Sequence, residues 1–189
     1  MRIVGGTLRG LKLAELGQGD PAAHLRPTTD RVRESIFNLL INGSHGNPLP
    51  GARVLDLFAG TGALGLEALS RGAAHATFVD DGARAQALIR QNVDKARLQG
   101  ATDLLRRDAT RLGECRGGGY QVVFLDPPYA QGRGERALAS AMDGGWLAPG
   151  ATVVWEESRP PLLPAALTLL DRRVYGDTVV TLARLAAPS

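Results

Sequence analysis

The chain has 189 residues, enough for one well-packed core and too few for two ordinary domains. Hydrophobic residues make up 44% and charged residues 22%, which excludes a disordered or fibrous chain. The formal charge is only +3, and the whole excess lies in residues 1–33, where Arg2, Arg9, Lys12, Arg26, Arg31 and Arg33 face three acids.

No apolar run reaches the roughly 18–20 residues of a membrane span. The opening Met1-Arg2-Ile3-Val4-Gly5-Gly6 is too polar for a signal peptide. A single cysteine, Cys115, offers neither a disulfide nor a zinc site, and His24, His45 and His75 fit no metal-ligand spacing. The expectation is a metal-free protein of the reducing cytoplasm.

In chain order, residues 1–13 read as a small basic hairpin turning at Gly5-Gly6. Residues 14–27 read as a loop broken by Gly17, Gly19, Pro21 and Pro27. Residues 1–27 are thus expected to form an N-terminal extension, and 28–189 the main domain. A helix should start near Thr28–Asp30, with Val32, Ile36, Leu39 and Leu40 as its apolar stripe. From Gly51 strands and helices alternate. Strands are predicted at 53–57, 76–79, 104–108, 122–125 and 152–155; helices at 63–71, 83–99 and 135–143. Two last strands, near 167–175 and 178–185, flank the turn Gly176-Asp177. The alternation predicts an open α/β, Rossmann-like sheet with helices on both faces and the last strand antiparallel.

The segment Val54-Leu55-Asp56-Leu57-Phe58-Ala59-Gly60-Thr61-Gly62-Ala63-Leu64-Gly65 holds a G-x-G-x-x-G turn between a strand and a helix. Its glycines permit a tight turn and a close approach of backbone to ligand. Asp80 follows 20 residues after Gly60, at the end of the second strand, where an acid accepts from ribose hydroxyls. Asp81, beside it, leaves open which acid does so. A dinucleotide would bring its pyrophosphate to this turn, and Asp56 would repel it. A carboxylate there suits S-adenosylmethionine, whose sulfonium and ammonium are cationic. Asp108, ending the third strand, is placed to accept from an adenine amine.

Asp126-Pro127-Pro128-Tyr129 follows the fully apolar fourth strand and is aimed at the same crevice. The prolines are rigid and offer no N–H. Asp126 and the Pro127 carbonyl can accept from a planar –NH₂ group while Tyr129 stacks on its ring.

Together these segments resemble the amino-group S-adenosylmethionine-dependent methyltransferases. With Arg2-Ile-Val-Gly-Gly6, Arg9-Gly10, Leu25-Arg-Pro-Thr-Thr-Asp-Arg-Val-Arg-Glu34, Phe37-Asn38 and Leu64-Gly-Leu-Glu-Ala-Leu-Ser-Arg-Gly72, the chain resembles the bacterial 16S rRNA guanine-N2 methyltransferase (RsmD) family from residue 2 to about 160. Tyr129 stands where phenylalanine is also common, and Gly82 where a polar residue is frequent. The resemblance implies a seven-stranded methyltransferase sheet with a small RNA-binding hairpin. It implies methylation of a guanine exocyclic amine, at the position conventionally numbered 966. Asp56, Phe58, Gly60, Gly62, Asp80 and Asp108 would hold the cofactor, and Asp126 to Tyr129 would be catalytic. Arg2, Arg9 and Lys12 would grip RNA; Arg26, Arg31 and Arg33 are candidates for the same role. The expected partner is 16S rRNA, in the small ribosomal subunit or an assembly intermediate, bound by a monomer. Two alternatives remain at this point: transfer to another exocyclic amine, such as DNA adenine, and a non-catalytic RNA-binding assembly protein.

Overall fold

A computed structural model describes residues 1–15, 29–129 and 131–187. Among the described residues, four α-helices, α1 (Asp30–Asn42), α2 (Ala63–Ser70), α3 (Ala83–Ala96) and α4 (Arg133–Asp143), alternate with strands β1 (Arg53–Leu57), β2 (His75–Val79), β3 (Thr102–Leu105), β4 (Tyr120–Leu125), β5 (Leu147–Glu157), β6 (Leu167–Tyr175) and β7 (Thr178–Leu185). The strands form one sheet in the order β3-β2-β1-β4-β5-β7-β6. β1 to β5 pair in parallel, and β7 runs antiparallel to both β5 and β6. The predicted fold class therefore holds. Strand order reverses between β1 and β4, which opens a crevice at their carboxyl ends.

Both faces of the sheet are covered, so its central strands are mostly apolar on both sides rather than alternating. On one face Ile36, Phe37 and Leu40 of α1, Leu66 of α2 and Ile89 of α3 pack on Val54, Phe78, Phe124, Val154 and Val180. On the other, Ala137, Leu138 and Ala141 of α4 cover Leu55, Val123, Leu125, Val153 and Trp155. Trp146 and Trp155 are core residues, as expected. The α1 start is also as expected, since the Thr29 hydroxyl accepts the Val32 N–H at 3.3 Å. The α3 helix stops three residues short of the expected 99, because Arg97 turns into the left-handed region at φ 57°.

The N-terminal segment doubles back but is not the tight hairpin expected. Gly6–Leu8 form a short 3-10 turn, and Arg2 and Lys12 make a single antiparallel bridge. Backbone bonds from Ile3 N to Leu11 O (2.9 Å), Gly10 N to Ile3 O (2.8 Å) and Leu13 N to Met1 O (3.1 Å) close a wide loop. The two glycines are not a two-residue turn because they lie on α2 instead. A side chain at Gly6 would strike the Ser70 carbonyl at 1.9 Å.

The segment is fastened by polar groups of α2. Glu67, fully buried, accepts the Val4 and Gly5 N–H groups, each at 2.8 Å, and pairs with Arg71 Nε at 2.8 Å. The Ser70 hydroxyl accepts from Leu8 N (2.9 Å) and donates to Gly5 O (2.6 Å). Arg33 completes the cluster, with its Nε 3.5 Å from Glu67 and a terminal nitrogen 2.8 Å from Asp30. Those contacts, with burial of the Arg33 side chain, correct one expectation. Arg33 does not present its charge to RNA; it ties α1, α2 and the N-terminal segment together. Arg26 lies outside the described residues.

Candidate active site

Because β1 to β4 are parallel, the turns that leave them share one rim. Phe58 to Gly62, Asp80, Asp108 and Asp126 to Tyr129 therefore converge on the crevice, although they are scattered over 72 positions of the chain.

The glycine turn is built from below by two carboxylates. Asp56 lies within β1, only 1% exposed, and accepts the Gly65 N–H of α2 at 2.9 Å. Burial pushes its carboxyl up to about 8, the Gly65 amide opposing and the Asp80 charge adding to the shift. Asp80 accepts Gly60 N–H on one oxygen and Gly82 N–H on the other, both at 2.9 Å. Burial raises it as well, against those two amides. Of the acid pair, Asp80 is the one tied to the turn; Asp81 is exposed. Gly60 and Gly62 sit at φ 58° and 77°, where a side chain would be strained. Gly65 is needed for space, since a Cβ there would lie 2.4 Å from the Phe78 ring. Phe58, not a glycine, also has φ 60°, a strained backbone of the kind concentrated at functional turns.

Asn92, fully buried on α3, joins this turn to the N-terminal segment. Its amide donates to Thr61 O (2.9 Å) and Ala14 O (3.0 Å) and accepts from Ala14 N (2.6 Å). The basic segment is thus anchored beside the glycine turn.

On the opposite side, Asp108 caps a short 3-10 turn, accepting from the Thr110 amide (2.9 Å) and hydroxyl (2.8 Å). Those bonds hold its carboxyl below the usual range. Arg133, at the start of α4, approaches Asp108 to 3.7 Å and lies over the Phe58 ring at 5.4 Å. The sequence carried no signal for Arg133, because the helix was expected to begin two residues later.

Within the tetrapeptide, Tyr129 is held through its phenol. Its phenol donates to Glu156 Oε1 at 3.2 Å and lies 3.2 Å from the Thr178 hydroxyl. Burial, followed by the charges of Glu156 and Asp126, drives its ionisation well above the usual range, so the ring stays neutral. Beside it is a cavity of about 400 Å³, lined by Thr29, Arg31, Val32, Tyr129, Glu156 and residues 174–178. A larger depression of about 570 Å³, between the Asp108 turn and α4, is lined by none of the expected site residues. Glu156 and Thr178 were missed in the sequence. The rule that ligands gather at strand carboxyl ends applies to β5 as well, and would have found Glu156.

The donor set fits S-adenosylmethionine. Asp80 stands half-buried under the glycine turn, and a cationic ligand gains from its carboxylate where a pyrophosphate would lose. Among the described residues, the exposed cations predicted to meet RNA lie outside this floor. Arg2, Arg9, Lys12 and Arg31 are exposed, and Arg31 stands on the cavity wall.

Comparison with known proteins agrees with this geometry. The family model described as "Conserved hypothetical protein 95" matches residues 1–184. The chain is 39% identical over 187 residues to "Ribosomal RNA small subunit methyltransferase D" of Escherichia coli, covering 96% of this chain and 88% of that one. It is 32% identical to the protein of the same name from Haemophilus influenzae, covering 93% and 89%. The solved structure "Putative methyltransferase yhhF from Escherichia coli" superposes with a TM-score of 0.82 at 35% identity, covering 100% of this chain and 99% of the other. The chain belongs to this RsmD family of S-adenosylmethionine-dependent methyltransferases.

Proposed function

We propose that this methyltransferase acts on small-subunit ribosomal RNA and that the accepting atom is the exocyclic N2 of a guanine, the one conventionally numbered 966. The substrate is the RNA in a small subunit or an assembly intermediate, met in the cytoplasm by a monomer. The observation that carries the reading is the convergence of Asp126-Pro-Pro-Tyr129 with the glycine turn on one rim of the sheet. The names of the relatives support ribosomal RNA as the substrate class.

S-adenosylmethionine, when bound, supplies an electrophilic methyl group on its sulfonium. Phe58, Gly60 and Gly62 would cradle its amino-acid end, with Asp56 holding that turn from beneath through Gly65, Asp80 would hold its ribose and Asp108 its adenine. The guanine amine is a poor nucleophile because its lone pair is delocalised into the ring. Asp126 and the Pro127 carbonyl each accept one N–H and turn that lone pair out of the ring plane. Pro128 keeps the loop rigid. The rate gain comes mainly from orientation and fixed charges. The proton lost after transfer passes to Asp126 or to solvent. The base leaves its stack, at a cost of a few kcal/mol, and Tyr129 replaces a stacking neighbour.

The test is transfer of labelled methyl to naked 16S rRNA, to undermethylated small subunits and to DNA, with mapping of the labelled nucleotide. The expected product is N2-methylguanosine at one rRNA site. Label in DNA, or on an rRNA adenine, would replace this reading.

A further inference from the structure

The tetrapeptide accounts for holding an amine but not for choosing the base that bears it. We propose that Glu156 is the specificity-determining residue, its carboxylate accepting the ring N1–H of the target guanine next to the amine held by Asp126. The inference rests on the proposed guanine substrate.

Register places the two acids together. Leu125 of β4 pairs with Trp155 of β5, so the next residues, Asp126 and Glu156, stand side by side where the strands end. Glu156 is 4% exposed, yet it lines the cavity that contains Tyr129. The Tyr129 phenol meets Glu156 at 3.2 Å and feels the charge of Asp126 as well, so the ring and both carboxylates share one end of the sheet. Thr178 steadies the phenol from the β7 side, 3.2 Å away.

Two adjacent acceptors match one nucleobase edge in particular. Guanine presents its 2-amine and N1–H as neighbouring donors. Adenine and cytosine present a bare ring nitrogen beside the amine, and a buried carboxylate repels that lone pair. A site whose acceptor hydrogen-bonds the N1–H of its substrate discriminates strongly against an analogue that puts a lone pair there.

The test replaces the mapped target guanine by 2-aminopurine, which keeps the 2-amine but has a lone pair at N1. It is made in the rRNA or particle that the protein modifies, and read as the ratio of kcat/KM for the two bases. The wild-type protein should prefer guanine by at least about a hundredfold. Glu156→Gln, whose amide can donate to N1, should narrow that ratio at least about tenfold. Tyr129→Phe, which keeps the ring and loses the phenol, should leave the ratio within about threefold of the wild type. Equal use of the two bases by the wild-type protein would overturn the proposal without any variant. So would an unchanged ratio in Glu156→Gln, or an equal narrowing in Tyr129→Phe, which would reduce Glu156 to a tether for the ring. If the wild-type protein modifies neither base while mapping shows another target, the substrate reading fails first and this proposal with it.

Discussion

Asp56 is held in the fold against its own ionisation. Its carboxyl is pushed up to about 8 from an ordinary 3.8, with burial as the main cause. The folded value is the higher one, so the folded state binds a proton that the unfolded state has released. The stabilising contribution is complete below about pH 4 and is lost as pH rises through about 8. Thermal melting of the cofactor-free protein should therefore fall over that window. Asp56→Asn keeps an acceptor for the Gly65 N–H and should remove part of the decline. The same slope in the variant would show that Asp56 titrates normally. Asp56 also shows what a residue-level reading can and cannot see. Its spacing from Gly60 marked it as an acid of the cofactor turn. Only the structure shows that it sits within β1 at 1% exposure, supporting α2 from beneath.

At the scale of elements, the N-terminal segment and α2 form one unit. Glu67 joins two backbone amides, Arg33 and Arg71, with no exposure of its own side chain. Removing one partner from a buried ion pair costs about 3–5 kcal/mol, because the other charge is left stranded. Glu67→Gln should lose about that much stability in denaturant unfolding, and residues 1–15 should become more open to proteolysis. A change under about 1 kcal/mol would show that the cluster does not hold the segment. The pairing of these stretches was legible as family-specific motifs around Arg33 and Glu67. The reason for it was not, because a count of arginines carries no information on burial. Periodicity gave most strands and helices to within two or three residues of their ends; β3 ends at Leu105 rather than 108, and β5 begins at Leu147, five residues before the expected 152. It failed in residues 1–13, where Gly5 and Gly6 pack against α2 rather than turning a hairpin. It also stopped β5 at Trp155, which hid Glu156, one residue further along the same strand.

For the whole molecule, the small net charge conceals an asymmetry. Buried Asp56 and Glu67 and half-buried Asp80 serve the interior and the crevice, while Arg2, Arg9, Lys12 and Arg31 remain at the surface. Since Asn92 ties that segment to the glycine turn, its cations are held beside the site. Replacing Arg2, Arg9 and Lys12 by alanine should weaken RNA binding and reduce the slope of log K against log salt by about 2–3. An unchanged slope would place the RNA elsewhere.

The central claim is that one rim of the sheet binds the methyl donor and presents an amine to it through Asp126. Single-turnover methyl transfer by Asp126→Ala, with cofactor affinity measured by calorimetry on the same protein, tests it most directly. The account predicts a loss of at least about a hundredfold in rate, in line with removal of a fixed acceptor, and cofactor affinity within about threefold of the wild type. Transfer at the wild-type rate in that variant would contradict it.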